Sequence, residues 1–401
     1  MQETNTSPAV VLQFRQDIEA QSRRHIREAL EVSLAEELAA VLGSARHERT
    51  DRRCGYRNGT LERTITAPEG TRTVTVPRGR LVGQGGTTTE CHSRLLPRYA
   101  RRTREVDGAI LGCYLGGINS RWIRAALKPL LGTVHLSKSA VFRIVGRLKA
   151  LFTSWQTRDL SAERDAIVFL DGFHLKVRLA PRVVSVPVLA ALGVSETGPK
   201  CLLSLRLAPS EAGATWCAAV TDLQQRGLAA PLLLVVDGNT GLTKALKQWD
   251  GVRVQRCTMH KLENLKAHCP QHARAEMKRD YDRVIYASDG LAARAAYDAF
   301  LKTWSALCPT VAKSLEEAGL ELLTFYGFPK ATCKSIRTTN MLENLHREFG
   351  RRTKTQASFG TEEAALTLLY GLVAFGQIQL RKIDGSTQLP SFLAKEWQKV
   401  A

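Results

Sequence analysis

Residues 166–178 read A-I-V-F-L-D-G-F-H-L-K-V-R, and this stretch restricts the fold more tightly than any other. Apolar residues fill 166–170. Asp171 and Gly172 follow at once, and then Leu175, Val177 and Leu179 alternate with Lys176 and Arg178. An unbroken apolar run predicts a strand buried on both faces, and the alternation predicts that its far half runs toward an edge or groove. A carboxylate inside such a strand is costly unless a cation meets it. The run therefore predicts a sheet together with a reason for charge at its centre.

The following residues have an α/β rhythm. Strands are predicted at 166–178, 183–194 and 200–207, then a helix at 211–226. P-L-L-L-V-V-D-G-N (231–239) is an apolar strand ending on Asp237, a helix covers 241–249, and V-R-V-Q-R-C (252–257) is a further strand. Three strands, a helix, a strand, a helix and a strand match the order of a ribonuclease H-like core, antiparallel first and parallel later. From Thr258 to about Lys334 the strand signal stops. Helices at 260–265, 273–287, 291–307 and 310–325, broken by Pro270, Gly290, Pro309 and Pro329, predict an all-helical insertion. A final helical segment holds R-T-T-N-M-L-E-N-L-H-R-E-F-G-R-R-T-K, 337–354.

Charge narrows the partner. Over 401 residues, 57 Lys and Arg stand against 38 Asp and Glu, a formal charge of +19, which favours a polyanion such as nucleic acid. Between Arg46 and Arg104 there are 14 arginines, no lysine and five acids, a local net of +9. Within it, 64–66 and 73–77 alternate around Pro-Glu-Gly at 68–70, a predicted β-hairpin whose arginines lie along phosphates. Arg57, Arg78 and Arg80 are the contacts named there. Residues 8–42 form a helix closed by Gly43. In 103–155, Asn119-Ser120 leads into a helix over 121–131, and Ser137 caps the next. Lys138 and Arg143 lie on its exposed side, in either a helix-turn-helix or a dimerisation module. No run of 18 apolar residues predicts a membrane span, and residues 1–8 lack a signal pattern. The nine scattered cysteines read as reduced thiols of a cytoplasmic protein. Cys54, Cys91 and His92 match no standard zinc spacing.

Three carboxylates stand out by context: Asp171 within one strand, Asp237 at the end of another, and Glu343 on a helix. Each alone reads as a bulge, turn or surface residue. Together they can converge at one end of a sheet and hold two divalent ions about 4 Å apart, for phosphoryl displacement. Magnesium, or manganese, suits oxygen ligands. Lys176, Arg178, Arg351, Arg352 and Lys354, with His174, are then candidates for phosphate contact.

L-D-G-F-H-L-K-V-R, V-V-D-G-N-T-G-L, Q-R-C-T-M-H and T-T-N-M-L-E-N-L-H-R-E-F-G-R-R-T-K are similar, in order and approximate spacing, to landmarks of the Mutator-like transposases of bacterial insertion sequences. So is the arginine-rich G-Y-R-N-G-T…V-P-R-G-R, 55–80. The resemblance runs from about residue 50 to 380. It implies a DDE triad on a ribonuclease H-like core, carried here by Asp171, Asp237 and Glu343 at intervals of 66 and 106 residues. It further implies binding of terminal inverted repeats, strand cleavage and transfer into target DNA, a homodimer on paired ends, an excised circular intermediate, and a bacterial protein bound to the nucleoid DNA. Two departures touch DNA contacts rather than the triad: Glu263 precedes Asn264, and Gly350 opens the Arg351-Arg352 pair where the family carries a third arginine.

Cys257 and His260 form the family's C-x-x-H. A packing role joining the insertion to the core is favoured over a zinc site shared with His268, Cys269 and His272. Trp304 is read as core rather than as a platform for an extruded base. The predicted organisation is a helical segment 1–45, a β-hairpin DNA-binding region 46–102, a helical domain 103–160, the core in 161–257, the insertion 258–335 and core helices 336–401. Two other functions stay open at this point. One is a domesticated, catalytically idle DNA-binding regulator. The other is a ribonuclease H-like nuclease, which leaves the basic amino-terminal half unexplained.

Overall fold

A computed structural model describes residues 8–68, 70–120, 122–131, 136–179, 182–355, 359 and 361–400. The signal-pattern expectation for residues 1–7, the turn residue Glu69, Arg121 at the head of the predicted 121–131 helix, and the side chain of Arg178 lie outside what is described. The chain forms two compact units, Met1–Tyr114 with Ile118–Val145, and Leu115–Gly117 with Gly146–Ala401.

The first unit opens with helix α1 (Pro8–Leu42), closed by Gly43 at φ 69°, a left-handed conformation that suits glycine. Strands β1 (Gly55–Ala67) and β2 (Gly70–Val82) pair antiparallel, and β3 (Thr88–Glu90) adds to β2. Ile65, Val74 and Val76 bury one face against Leu34 of α1 and Leu96. Helix α2 (Arg104–Leu115) comes next. The stretch expected as one helix over 121–131 is two short ones, α3 (Ile123–Ala126) and α4 (Lys128–Leu131). Pro129 has no N–H to continue a ladder, which fits a new helical turn starting beside it. Helix α5 (Lys138–Gln156) begins where Ser137 Oγ accepts from the Ala140 N–H at 3.2 Å, and it crosses from one unit to the other.

The second unit is built on a five-stranded mixed sheet. Its strands are β4 (Asp165–Leu179), β5 (Arg182–Ser195) and β6 (Lys200–Leu207), then, after helix α6 (Gly213–Gln225), β7 (Leu233–Val236). Helix α7 (Thr240–Leu246) leads to β8 (Arg253–Arg256). The order is β6-β5-β4-β7-β8. β4, β5 and β6 are antiparallel, whereas β7 and β8 join in parallel. Val168, Leu170, Leu189, Leu203, Leu234 and Val236 share one face with Trp216 of α6 and Leu242 of α7. Side chains alternate, so Ile167, Phe169 and Asp171 point to the other face. β7 pairs with β4 only as far as Leu170. Beyond it β4 and β5 continue as a two-stranded ribbon past the end of β6, where Pro187 lacks an N–H and needs none.

From Thr258 to Ile336 the chain is helical: α8 (Thr258–His268), α9 (Arg274–Ile285), α10 (Gly290–Leu307), α11 (Pro309–Ala318) and α12 (Lys330–Ile336), with short 3₁₀ turns between them. Helix α13 (Asn340–Lys354) returns to pack against β4, α14 (Glu362–Ala374) packs against β6, and α15 (Leu389–Val400) ends the described chain. Trp304 is 1% exposed and donates its indole N–H to Asp280 at 3.1 Å, so it is a core residue and presents no face to a base. No helix among the described residues is long and apolar enough to cross a membrane.

Candidate active site

The register of the sheet places the acids. Leu170 of β4 pairs with Val236 of β7, and Val236 with Arg256 of β8. The next residues along three adjacent parallel strands are therefore Asp171, Asp237 and Cys257. Adjacent strands lie about 4.8 Å apart, so the two aspartates are neighbours at the carboxyl edge of the parallel part. Gly238 holds the sharp exit after Asp237 at φ 90°, and a Cβ there would meet the Arg256 guanidinium at 2.2 Å. Only glycine fits.

Glu343 arrives from α13. It sits in that helix's first turn, where its N–H donates to the Thr339 carbonyl at 3.1 Å and Thr339 Oγ1 donates to its Oε1 at 3.4 Å. Asp171 is 5% exposed, and its Oδ1 accepts from the Gly172 N–H at 2.9 Å. Burial pushes its carboxyl up to about 7, with Asp237 and then Glu343 adding like-charge repulsion and His260 opposing them. Asp171 therefore feels the charge of both other carboxylates, although the three do not lie within 4.8 Å of one another as Cys257, His260 and Glu343 do. Three carboxylates that repel one another are oxygen donors of the kind that hard divalent ions such as Mg²⁺ or Mn²⁺ take.

Three neighbours of the cluster escape the sequence reading. His346, one turn after Glu343, puts Nδ1 3.7 Å from Asp171 Oδ2, and its ring stacks on Phe173 with centroids 4.2 Å apart. Burial pushes its imidazole down to about 3, so it is neutral. Glu211, just ahead of α6, is a fourth carboxylate. It accepts from Asn239 Nδ2 at 3.0 Å, lies 4.0 Å from His174 Nδ1, and would crowd any side chain at position 172. Glu317 of α11 holds the buried cations Arg256 (3.1 Å) and Lys261 (2.7 Å), tying the helical segment to the edge of β8. A histidine one turn along a helix, or an acid on a helix or just ahead of one, is too common a pattern to single these out.

Cys257 and His260 lie at the same edge. Cys257 is fully buried and accepts the Thr339 N–H at 3.3 Å, while His260 Nδ1 is 3.2 Å from Thr339 Oγ1 and Nε2 is 3.8 Å from Glu343 Oε1. Burial raises the Cys257 thiol, but hydrogen bonding with His260 and Thr339 outweighs it and leaves the thiol below its ordinary value. Bonding to Cys257 raises His260 to about 9, against the opposing effect of burial. Among the described residues, Cys257, His260 and Glu343 are the one set of three metal-capable side chains with ligand atoms within 4.8 Å of one another. His268, Cys269 and His272 do not join them, nor do Cys54, Cys91 and His92 form a set. All nine cysteines are free.

The basic candidates fall in two places. On the second unit, Lys176 is exposed on the β4–β5 ribbon and Lys354 is exposed at the end of α13, whereas Arg351 and Arg352 are engaged with Glu348 at 2.8 and 3.0 Å. A groove of about 360 Å³ lined by Lys200, Lys334, Arg337 and Lys382 opens beside the start of α13. It gathers four cations from three separate segments, which no local pattern reveals. On the first unit, Arg80, Lys138 and Arg143 are exposed, Arg57 is half-buried, and Arg78 is paired with Glu90 at 2.8 Å. Arg143 also lines a cleft of about 550 Å³ with Arg63, Arg98, Arg101 and Arg102.

Residues 1–378 match the family model for "Transposase, Mutator family". The chain is 31% identical over 341 residues to the transposase for insertion sequence element IS406 of Burkholderia multivorans, covering 84% of this chain and 86% of that one. It is 32% identical over 360 residues to the transposase for insertion sequence element ISRM5 of Rhizobium meliloti, covering 87% and 86%. A solved chain from the Drosophila P element transposase strand transfer complex is matched over 74% of this chain and 85% of its own, at 11% identity and a TM-score of 0.31, too loose a superposition to argue from.

Proposed function

This chain belongs to the Mutator family of transposases, and from that premise we propose that it binds the terminal inverted repeats of an insertion sequence, cuts at the ends and joins them to target DNA. Asp171, Asp237 and Glu343 are the proposed catalytic residues. The observation that carries this reading is the register Leu170↔Val236, which sets two acids side by side where Glu343 of α13 also arrives. We read the five-stranded sheet as a ribonuclease H-like core and the helices of 258–336 as its insertion, which the strand order and the antiparallel-then-parallel arrangement support.

The three carboxylates would hold Mg²⁺ or Mn²⁺, and two such ions, when bound, supply the Lewis acidity that in-line phosphoryl displacement needs. The protein's own residues do the rest. The Gly172 N–H fixes the orientation of Asp171, and neutral His346 packs beside it with Nδ1 3.7 Å away. The Asn239 N–H does the same for Asp237 at 2.8 Å. Thr339 steadies Glu343. In strand transfer a freed DNA 3′-hydroxyl attacks a target phosphodiester: one P–O bond forms, one breaks, and no bond to the protein is required.

Lys176 and Lys354, together with the groove at Lys200, Lys334, Arg337 and Lys382, would carry the strand near the scissile phosphate. The arginine-rich first unit would hold the repeat. A homodimer would pair two ends. The test is incubation of the protein with the element's end DNA and Mg²⁺, with products mapped to the nucleotide. Asp171→Asn, Asp237→Asn and Glu343→Gln should each lower cleavage by about 10³-fold or more, several kcal/mol of transition-state stabilisation, while end binding persists. Cleavage by all three variants at the normal rate would end the assignment.

A further inference from the structure

We propose that Cys257, His260 and Glu343 form a binding site for a borderline divalent cation, zinc above all, and that the ion silences the enzyme by taking Glu343 out of the carboxylate triad. The second clause rests on the reading of Glu343 given above; the first does not.

The donor set is one sulfur, one nitrogen and one oxygen, brought from the end of β8, the first turn of α8 and the first turn of α13, with ligand atoms within 4.8 Å of one another. Zinc bonds of about 2.3 Å to sulfur and 2.0–2.1 Å to nitrogen and oxygen put tetrahedral ligand atoms roughly 3.3–3.6 Å apart, so closure takes movements on the order of 1 Å. His260 Nε2 and Glu343 Oε1 already stand 3.8 Å apart.

Thr339 orders all three ligands. Its N–H donates to Cys257 Sγ, and its hydroxyl, with one proton, donates to Glu343 Oε1. The Thr339 hydroxyl oxygen is then left to accept from His260 Nδ1–H at 3.2 Å, which turns Nε2 toward Glu343, where a bound metal would take the place of its proton. Metal-bound histidines are usually held by such a bond at the other nitrogen. Magnesium avoids thiolate and keeps to oxygen donors, so the two kinds of ion sort between the two sets, with Glu343 common to both.

The test titrates the full-length, metal-stripped protein with Co²⁺, followed by absorption. The site predicts a thiolate-to-cobalt charge-transfer band that saturates at one ion per chain and is displaced by Zn²⁺. The band disappears in Cys257→Ser. It requires at least tenfold more Co²⁺ in His260→Ala and in Glu343→Gln, whose half-exposed side chains tolerate replacement. Absence of the band, or a band that survives in Cys257→Ser, overturns the site. In Mg²⁺, Zn²⁺ at the concentration that displaces Co²⁺ should slow end cleavage at least tenfold relative to the zinc-free rate. Zinc bound without loss of cleavage, or an equal loss in Cys257→Ser, overturns the shared use of Glu343.

Discussion

His346 Nδ1 stands 3.7 Å from Asp171 Oδ2, with the two side chains only 10% and 7% exposed. Burial keeps the imidazole neutral, so it does not discharge the carboxylate, and its nitrogen is placed to hold that carboxylate once the gap closes to hydrogen-bond length. His346→Phe preserves the stack on Phe173 but removes the nitrogen. It should melt close to the wild type yet cleave end DNA about 10- to 100-fold more slowly, the usual loss for a group that orients a metal-binding carboxylate. A wild-type cleavage rate in that variant would show that His346 only packs.

Among the described residues, Glu317 is the carboxylate that meets both Arg256 and Lys261, which are nearly fully buried. Its removal strands two charges at the edge of β8. Glu317→Ala should destabilise the second unit by roughly 2–4 kcal/mol, less than for a fully buried acid because Glu317 itself is half exposed. Urea unfolding measures it; a loss below the error of the method would mean that water already serves both cations.

Asp165 begins β4 with both carboxylate oxygens buried against Gly193 and without a hydrogen-bond partner among the described residues. Burial, reinforced by Glu163 and opposed by Arg158, pushes it up to about 7. Since the folded value exceeds the unfolded one, the folded chain binds the extra proton between about pH 4 and 7. Stability from this residue therefore falls as pH rises through that window and stays low above it. Asp165→Asn should leave the melting temperature near wild type at pH 4 and raise it at pH 8, with a ceiling of about 4 kcal/mol. Equal gains at both pH values would point to a cause other than this proton.

In the first unit's cleft, Arg63 donates to the carbonyls of Leu96, Pro97 and Ala100, and Arg102 is paired with Asp107 at 2.8 Å. Arg98, Arg101 and Arg143 are exposed on the same cleft. Alanine at each of these three should reduce the slope of log affinity against log salt by about 1 and weaken specific and non-specific DNA alike. Arg63→Ala should instead loosen the loop at 96–100. Unchanged salt slopes in all three exposed variants would move the DNA elsewhere.

The strands were legible because their signals are local: five apolar residues before Asp171, five before Asp237, and Gly238 where a side chain would strike Arg256. The helices from Thr258 onward were legible for the same reason, since Pro and Gly punctuate them. What the chain hid are pairings across long separations. Glu317 meets Arg256 across 61 residues, and Glu211 meets Asn239 across 28, through side chains that look like ordinary surface acids in one dimension. His346 shares a helix with Glu343, yet its burial depends on Phe173 of β4. Arg351 and Arg352, candidates for phosphate contact, also pair with Glu348, one turn back on their own helix, which the sequence alone does not reveal.

The pairing Leu170↔Val236 sets a rule for insertions and deletions. Side chains in a strand alternate, so removing one residue from 166–170 or from 233–236 swings the following aspartate to the opposite side of the sheet, away from α13. The connections outside those two short runs carry no such parity. Length changes in the loop at 226–232 or among the helices of 258–336 can therefore accumulate between related proteins, while nine residues in two strands keep a fixed count.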